Sequence, residues 1–183
     1  DAPKIASKRK PGQFVMLRID ELGERIPLTI AGSDSTRGTI TIIFQVVGDT
    51  TRQLSGLNVG DYILDVVGPL GHPTHIENYG TAVCIGGGLG IALVMPIAQA
   101  LYAAGNHVIS VISARNKDLL ICEKEMQACS SEFMIATDDG SKGTKGFPTQ
   151  ILQDLINKGQ KIDIVFAVGP VPLMAAVSRL TKP

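Results

Sequence analysis

The rhythm of apolar and polar residues changes near residue 80. Before that point the chain reads as short strands separated by turn residues. Phe14–Ile19 is opened by Pro11-Gly12, Arg25–Ala31 follows, and Thr39–Val47 begins with threonine and isoleucine in alternation. A period of two marks a strand with one buried face. Leu54–Leu57 reads as a short turn or helix and Tyr62–Val67 as another strand, closed by Gly68-Pro69-Leu70-Gly71-His72-Pro73. Short strands at regular spacing, with no helical pattern among them, predict a small antiparallel β-barrel.

After Tyr79-Gly80 strands alternate with helices. Thr81–Ile85 is wholly apolar and runs into Gly86-Gly87-Gly88-Leu89-Gly90, then into a helix ending before Gly105. Proline fits a helix where its missing amide would be unpaired anyway, so Pro96 predicts a helical start at about Ala92 or later. Strands at His107–Ser113, Phe133–Thr137 and Ile162–Val168 follow, with helices at Leu119–Cys129, Thr149–Lys158 and Leu173–Leu180. Four such units with apolar strands predict a doubly wound α/β domain, its parallel sheet covered on both faces. The boundary falls in Thr74–Gly80, giving expected domains of 1–76 and 77–183.

Composition narrows the classes. Lysine plus arginine equal aspartate plus glutamate at 17 each, which argues against a nucleic-acid binder. The longest apolar stretch, Ile91–Ala104, contains Pro96 and Gln99 and falls short of the about 20 residues a bilayer span needs. Three cysteines, Cys84, Cys122 and Cys129, form no C-x-x-C pair and read as reduced thiols of a cytoplasmic protein. Cys122 and Cys129 are expected on one face of a helix, as packing residues. His72, His75 and His107 lack metal-ligand spacing, so no metal site is expected. Ser130-Ser131 has no glycine elbow, which leaves hydrolase chemistry unsupported. The first residues offer no initiating strand and Thr181-Lys182-Pro183 stops straight after a helix, so a fragment of a longer subunit is expected.

The candidate chemistry lies at one sheet edge. Gly86–Gly90 follows a strand and opens a helix, where bare backbone and helix amides favour an anion. It is not a G-x-G-x-x-G fingerprint, because Ile91 stands where the third glycine would be, and a tight turn without ligand is the alternative. Ser113-Ala114-Arg115-Asn116 ends the next strand without an acid for a ribose hydroxyl. Arg115 is there either for a ribose or 2′-phosphate or as an ordinary solvated side chain. Thr137–Gly146, with Asp138 and Gly140, is a ligand-facing loop or a flexible connector, and Gly169-Pro170 completes the same edge.

Together these segments resemble the ferredoxin–NADP reductase superfamily. Arg25-Ile26-Pro27-Leu28-Thr29-Ile30, Ser113–Asn116 and Gly143-Thr144-Lys145-Gly146-Phe147 look most like one branch of it. That branch is the small subunit of NADH-dependent reduced ferredoxin:NADP oxidoreductase (sulfide dehydrogenase), related to the electron-transfer subunit of dihydroorotate dehydrogenase B. The resemblance implies FAD on the barrel and NAD(P)H on the second domain, across Gly86, Gly87, Gly88, Leu89 and Gly90. It implies Thr29 beside flavin N5 as the catalytic contact, with Leu28 against the ring. Arg25, Ile26, Pro27, Ile43, Phe44, Gln45, Thr50 and Thr51 would line the rest of the cofactor. Ser113, Ala114, Arg115, Asp138, Gly140, Gly169 and Pro170 would line the nucleotide. One departure stands out: the family's usual arginine lies three residues before Thr29, where this chain has Ile26, and Arg25 lies four before. On a strand that shift turns the side chain to the other face. The resemblance also implies a cysteine-rich [2Fe–2S] tail, whose four thiolates the residues here do not supply. Its implied partners are ferredoxin and, as a heterodimer, a larger FAD and iron–sulfur subunit of the glutamate synthase small-chain type. A dihydroorotate dehydrogenase catalytic subunit is the alternative partner, and a flavin-free nucleotide-sensing module the alternative function.

Overall fold

A computed structural model describes residues 1–182; Pro183 lies outside the described residues. Contacts divide the chain into two units, one from Asp1 to Thr74 and one from His75 onward.

The first unit is a four-stranded antiparallel sheet in the order β3-β2-β1-β4, built from β1 (Phe14–Arg18), β2 (Ile26–Asp34), β3 (Thr39–Ile42) and β4 (Asp65–Leu70). Alternate residues of β1 point inward, so Val15 and Leu17 are wholly buried. Val15 and Ile30 meet Ile5 of a four-residue helix, α1 (Pro3–Ala6), with Ile40, Ile42 and Val66 around them. Register breaks in both β1–β4 and β2–β3 mark bulges that bend this sheet.

Several sequence expectations shift here. The strand expected over Thr39–Val47 ends at Ile42, because among the described residues no strand pairs with 43–47. The strand expected at Tyr62–Val67 runs Asp65–Leu70, following the partner that β1 offers. The expected second strand begins one residue later and extends to Asp34, leaving Arg25 just outside it. Helices are present after all: α1, and α2 (Asp49–Ser55), which has no buried residue and so shows no apolar stripe for periodicity to detect.

The second unit is a five-stranded parallel sheet in the order β8-β7-β6-β5-β9. Its strands are β5 (Thr81–Gly87), β6 (His107–Ala114), β7 (Glu132–Thr137), β8 (Thr144–Lys145) and β9 (Ile164–Val168). Every residue of β5 and β6 after the first is buried, the mark of strands covered on both faces. On one face Val83, Ile85, Ile109, Val111 and Ala136 pack against α5 (Pro148–Asn157) and α6 (Val171–Leu180) through Ile151, Leu152, Leu155 and Val177. The alternate residues face α3 (Gly90–Ala103) and α4 (Glu123–Ala128). Asn106, also buried, closes the start of the sheet: its side chain accepts from the Tyr79 amide at 2.8 Å and donates to the carbonyls of Glu77 and Leu101.

Two helices depart from expectation. α3 starts at Gly90, so Pro96 sits in its second turn and not its first. An interior proline costs about 3 kcal/mol. Nine of the fourteen α3 residues are buried, and each large apolar one contributes about 1.5–3 kcal/mol, so packing outweighs the proline. The helix expected over Leu119–Cys129 is reduced to a 3₁₀ turn at Lys117–Leu119 and the six residues of α4. Cys122 and Cys129 therefore cap the two ends of α4 and do not share a face along it. β8, only two residues long, is too short for any sequence pattern to announce.

Leu152 of α5 is fully buried against the sheet. Leu152→Ala is expected to lower the stability of the second unit by about 2–5 kcal/mol, read from denaturant unfolding.

Candidate functional site

In the second unit, β6, β7 and β8 lie successively to one side of β5, and β9 lies on the other. The loops leaving β5 and β9 consequently part in opposite directions. Open α/β sheets receive ligands in the crevice this makes at their carboxyl edge.

The glycines of the β5 loop do two different jobs. A methyl group on Gly90 would run into the carbonyl of Val168 and come within 2.8 Å of the Gly169 Cα. On Gly86 it would lie 2.7 Å from the Ile91 Cα. These two positions let α3 begin directly against the exit of β9, protein upon protein. Gly88 is different: its φ is +56° and an added Cβ would meet nothing within 4 Å. Its amide donates to the Ser113 carbonyl at 2.8 Å, while the Ser113 hydroxyl donates to the Gly86 carbonyl at 3.3 Å. The Ile91 and Ala92 amides turn back to the carbonyls of Gly88 and Leu89. That leaves the amides of Leu89 and Gly90 without a protein acceptor among the described residues. They sit at the positive end of the α3 dipole, where an anion is favoured.

The other predicted residues of this edge fall into two groups. Gly169 and Pro170 form the turn into α6 and abut the glycine loop, with the Leu173 and Met174 amides donating to the Pro170 carbonyl. Ala114 and Arg115 stand beside the β7 loop: the Asp138 amide donates to the Ala114 carbonyl and the Asp139 amide to the Arg115 carbonyl, each at 3.2 Å. The side chains of Arg115 and Asp138 are exposed, and neither has a hydrogen-bond or ion-pair partner among the described residues. Gly140 turns the loop at a φ of +77°, close to the Lys145 side chain. Ser141 holds the Asp139 carboxyl below its ordinary range, through its hydroxyl first and its amide second.

The residues predicted in the first unit are held as follows. Thr29 lies opposite Phe14 and Leu28 opposite Val15 on β1. Both are half-buried, Pro27 is exposed, and the Thr29 hydroxyl has no protein partner among the described residues. Ile26 pairs with Leu17. Arg25 is bound to Asp65 at 3.1 Å, and the same carboxylate oxygen takes Arg18 at 2.7 Å. Sequence reasoning missed Asp65, and finding it required the β1–β4 register that sets it across from Arg18. Ile43, Phe44 and Gln45 are not on a strand, as expected from the sequence, but in irregular chain beyond β3. Thr50 and Thr51 open α2. The Thr51 hydroxyl is consumed there, accepting from the Val47 and Gly48 amides at 3.0 Å each and donating to the Gly48 carbonyl.

The three cysteines are free thiols. Burial, and then the neighbouring Cys129, push the Cys84 thiol up to about 12. Burial also raises Cys129, and burial with Glu125 raises Cys122. None is poised as a thiolate. Among the described residues, no group of histidine, cysteine and acidic side chains is arranged to hold a metal, and no helix is long and apolar enough to cross a membrane. A cleft of about 300 Å³ between α5 and α6 is lined by Thr149, Gln150, Gln153, Ala176, Arg179 and Leu180, none of them a predicted site residue.

Two outcomes follow. Gly90→Ala is expected to lower the melting temperature well beyond Gly88→Ala, because only Gly90 meets backbone, while the open Gly88 site bears just the ~1 kcal/mol strain of positive φ. With iodoacetamide at pH 8, Cys84 is expected to stay unmodified in the native protein and to react on unfolding, as peptide mapping would read.

No protein-family model matches the chain. It is 47% identical over 173 residues to the dihydroorotate dehydrogenase B (NAD(+)) electron transfer subunit homolog of Thermotoga maritima, covering 94% of this chain and 61% of that protein. The chain thus spans about three-fifths of that relative's length. It is 34% identical over 181 residues to the dihydroorotate dehydrogenase B (NAD(+)) electron transfer subunit of Geobacillus thermodenitrificans, covering 96% of this chain and 68% of that one. The solved structure of an NADH-dependent reduced ferredoxin-NADP oxidoreductase, described for flavin-based electron bifurcation, matches with a TM-score of 0.92 and 43% identity. That match covers 98% of this chain and 64% of the other. With the four-stranded antiparallel sheet and the switch-point crevice of the parallel sheet already in place, these likenesses establish that the chain belongs to the dihydroorotate dehydrogenase B electron transfer subunit family, within the ferredoxin–NADP reductase superfamily.

Proposed function

We propose that this chain is the flavin- and nucleotide-binding part of an electron-transfer subunit, passing reducing equivalents between NAD(P)H and an iron–sulfur partner subunit. The observation that carries the reading is the exit of β5, where Gly88 is open and the Leu89 and Gly90 amides are unclaimed among the described residues. A dinucleotide's diphosphate suits such donors at a helix start. Gly169 and Pro170 form the opposite wall, and Arg115 and Asp138 lie where the adenosine ribose of that nucleotide would reach.

In the first unit the chemistry of the donors fits a flavin. The Thr29 hydroxyl is free to hydrogen-bond a ring nitrogen, and half-buried Leu28 offers apolar surface to a ring face. Asp65 orients Arg25 just before the same strand. FAD, when bound, supplies hydride exchange with the nicotinamide at N5 and one-electron exchange with an iron–sulfur centre. Thr29 would orient the flavin edge and Leu28 would exclude water from it. The unclaimed amides of Leu89 and Gly90 would fix the nucleotide. As for the partner, likeness to the solved ferredoxin-NADP oxidoreductase favours a larger FAD and iron–sulfur subunit, with ferredoxin beyond it. The names of the curated relatives favour instead a dihydroorotate dehydrogenase catalytic subunit.

The purified whole protein is expected to be yellow, to release FAD on acid treatment, and to bleach anaerobically with NADH or NADPH. A colourless protein that takes up no added FAD would overturn the proposal. Thr29→Ala is expected to slow flavin reduction roughly tenfold in stopped flow, with nucleotide affinity nearly intact. An unchanged rate would remove Thr29 from the role.

A further inference from the structure

The connection from β7 to β8 is unusually tight. The two strands are parallel neighbours, with Ala136 opposite Thr144 and Thr137 opposite Lys145. Parallel neighbours ordinarily need a crossover of about a dozen residues or more. Here only residues 138–143 intervene. A loop closed this tightly needs its inner backbone groups satisfied, and one side chain does most of that. Fully buried Thr137 donates its hydroxyl to the Lys142 carbonyl at 2.8 Å and accepts from the Lys142 amide at 3.0 Å. Its own carbonyl accepts from the Gly140 and Gly146 amides at 3.0 and 2.9 Å.

The ring so formed is also tied to the neighbouring β6 exit. The amides of Asp138 and Asp139 continue the ladder past the sheet edge, onto the carbonyls of Ala114 and Arg115. Further out, the Ser141 hydroxyl accepts from the Lys117 amide at 2.8 Å, and Lys142 pairs with Glu123 at 2.7 Å. Arg115 and Asp138, exposed and unpartnered among the described residues, thus stand on backbone fixed from both sides. We propose that Thr137 is a positioning residue for the nucleotide. Its hydroxyl closes the 138–143 loop on itself while the loop's own amides tie it to the β6 exit, so that Arg115 and Asp138 meet the ribose and its 2′-substituent already in place. The inference rests on the nucleotide reading of this edge. Preorganisation of this kind acts through affinity, because a loop that is ordered before binding loses less freedom on binding.

The test is made in the whole protein, with NADH and NADPH as probes. Thr137→Val keeps the shape and removes both hydrogen bonds. The dissociation constants are expected to rise about tenfold, with kcat at saturating nucleotide changed less than about twofold. Thr137→Ser restores the hydroxyl and is expected to restore affinity. In the Thr137→Val background, Arg115→Ala is expected to add less than it does alone, since both act on one contact. Unchanged affinity in Thr137→Val, or equal losses in kcat and affinity that Thr137→Ser does not repair, would overturn the role. Should Thr137→Val fail to fold, Ser141→Ala removes only the outer tie, and an affinity equal to wild type would be the overturning result. Wild-type protein that binds neither nucleotide would instead overturn the functional reading beneath it.

Discussion

The second unit is organised by a close approach of backbones. α3 begins where β9 ends, with Gly90 set against the Val168 carbonyl so tightly that no β-carbon fits between them. That contact fixes three things together. It sets the start of α3, it sets the angle at which the chain leaves β9, and it leaves the Leu89 and Gly90 amides without a protein acceptor among the described residues. The candidate anion site is therefore a by-product of how the sheet changes direction, made of main chain. Such a site is insensitive to which residues decorate the helix and sensitive to a single methyl group at the contact.

The same contact explains why α3 tolerates its proline. A helix pinned at its first residue, lying across two strands buried along nearly their whole length, has its path decided by packing on β5 and β6. The lost hydrogen bond is small beside the apolar surface removed from water. Local preference and tertiary packing disagree at Pro96, and packing prevails because it involves far more free energy.

How far the sequence could be read follows from what it encodes locally. The parallel sheet was legible because both faces are covered, making β5 and β6 continuous apolar runs. The glycine loop was legible because nothing else puts four glycines in five residues between a strand and a helix. Elements that depend on partners were not. The alternation runs through Ile42 and apolar residues continue past it, yet a strand exists only where another lies beside it. Arg25 could be located but its tie to Asp65 could not, since the two lie forty positions apart and meet only because the β1–β4 register brings Asp65 there. β8 has two residues and no periodicity at all.

The candidate groups of the two units consequently differ in kind. At the carboxyl edge of the parallel sheet the unclaimed donors are main-chain groups, and side chains such as Thr137, Ser113 and Ser141 hold the main chain in place. In the first unit the groups that matter are side chains on a strand, Thr29 and Leu28, whose placement rests on pairing with Phe14 and Val15. Recognition by backbone needs a rigid scaffold, and the buried central strands β5 and β6 supply one. Tuning of a bound ring needs individually replaceable side chains, which a half-exposed antiparallel strand offers. On the proposed function, the division of secondary structure between the units would match a division of chemical labour, one holding a charged ligand by its phosphates and the other adjusting the reactivity of a ring.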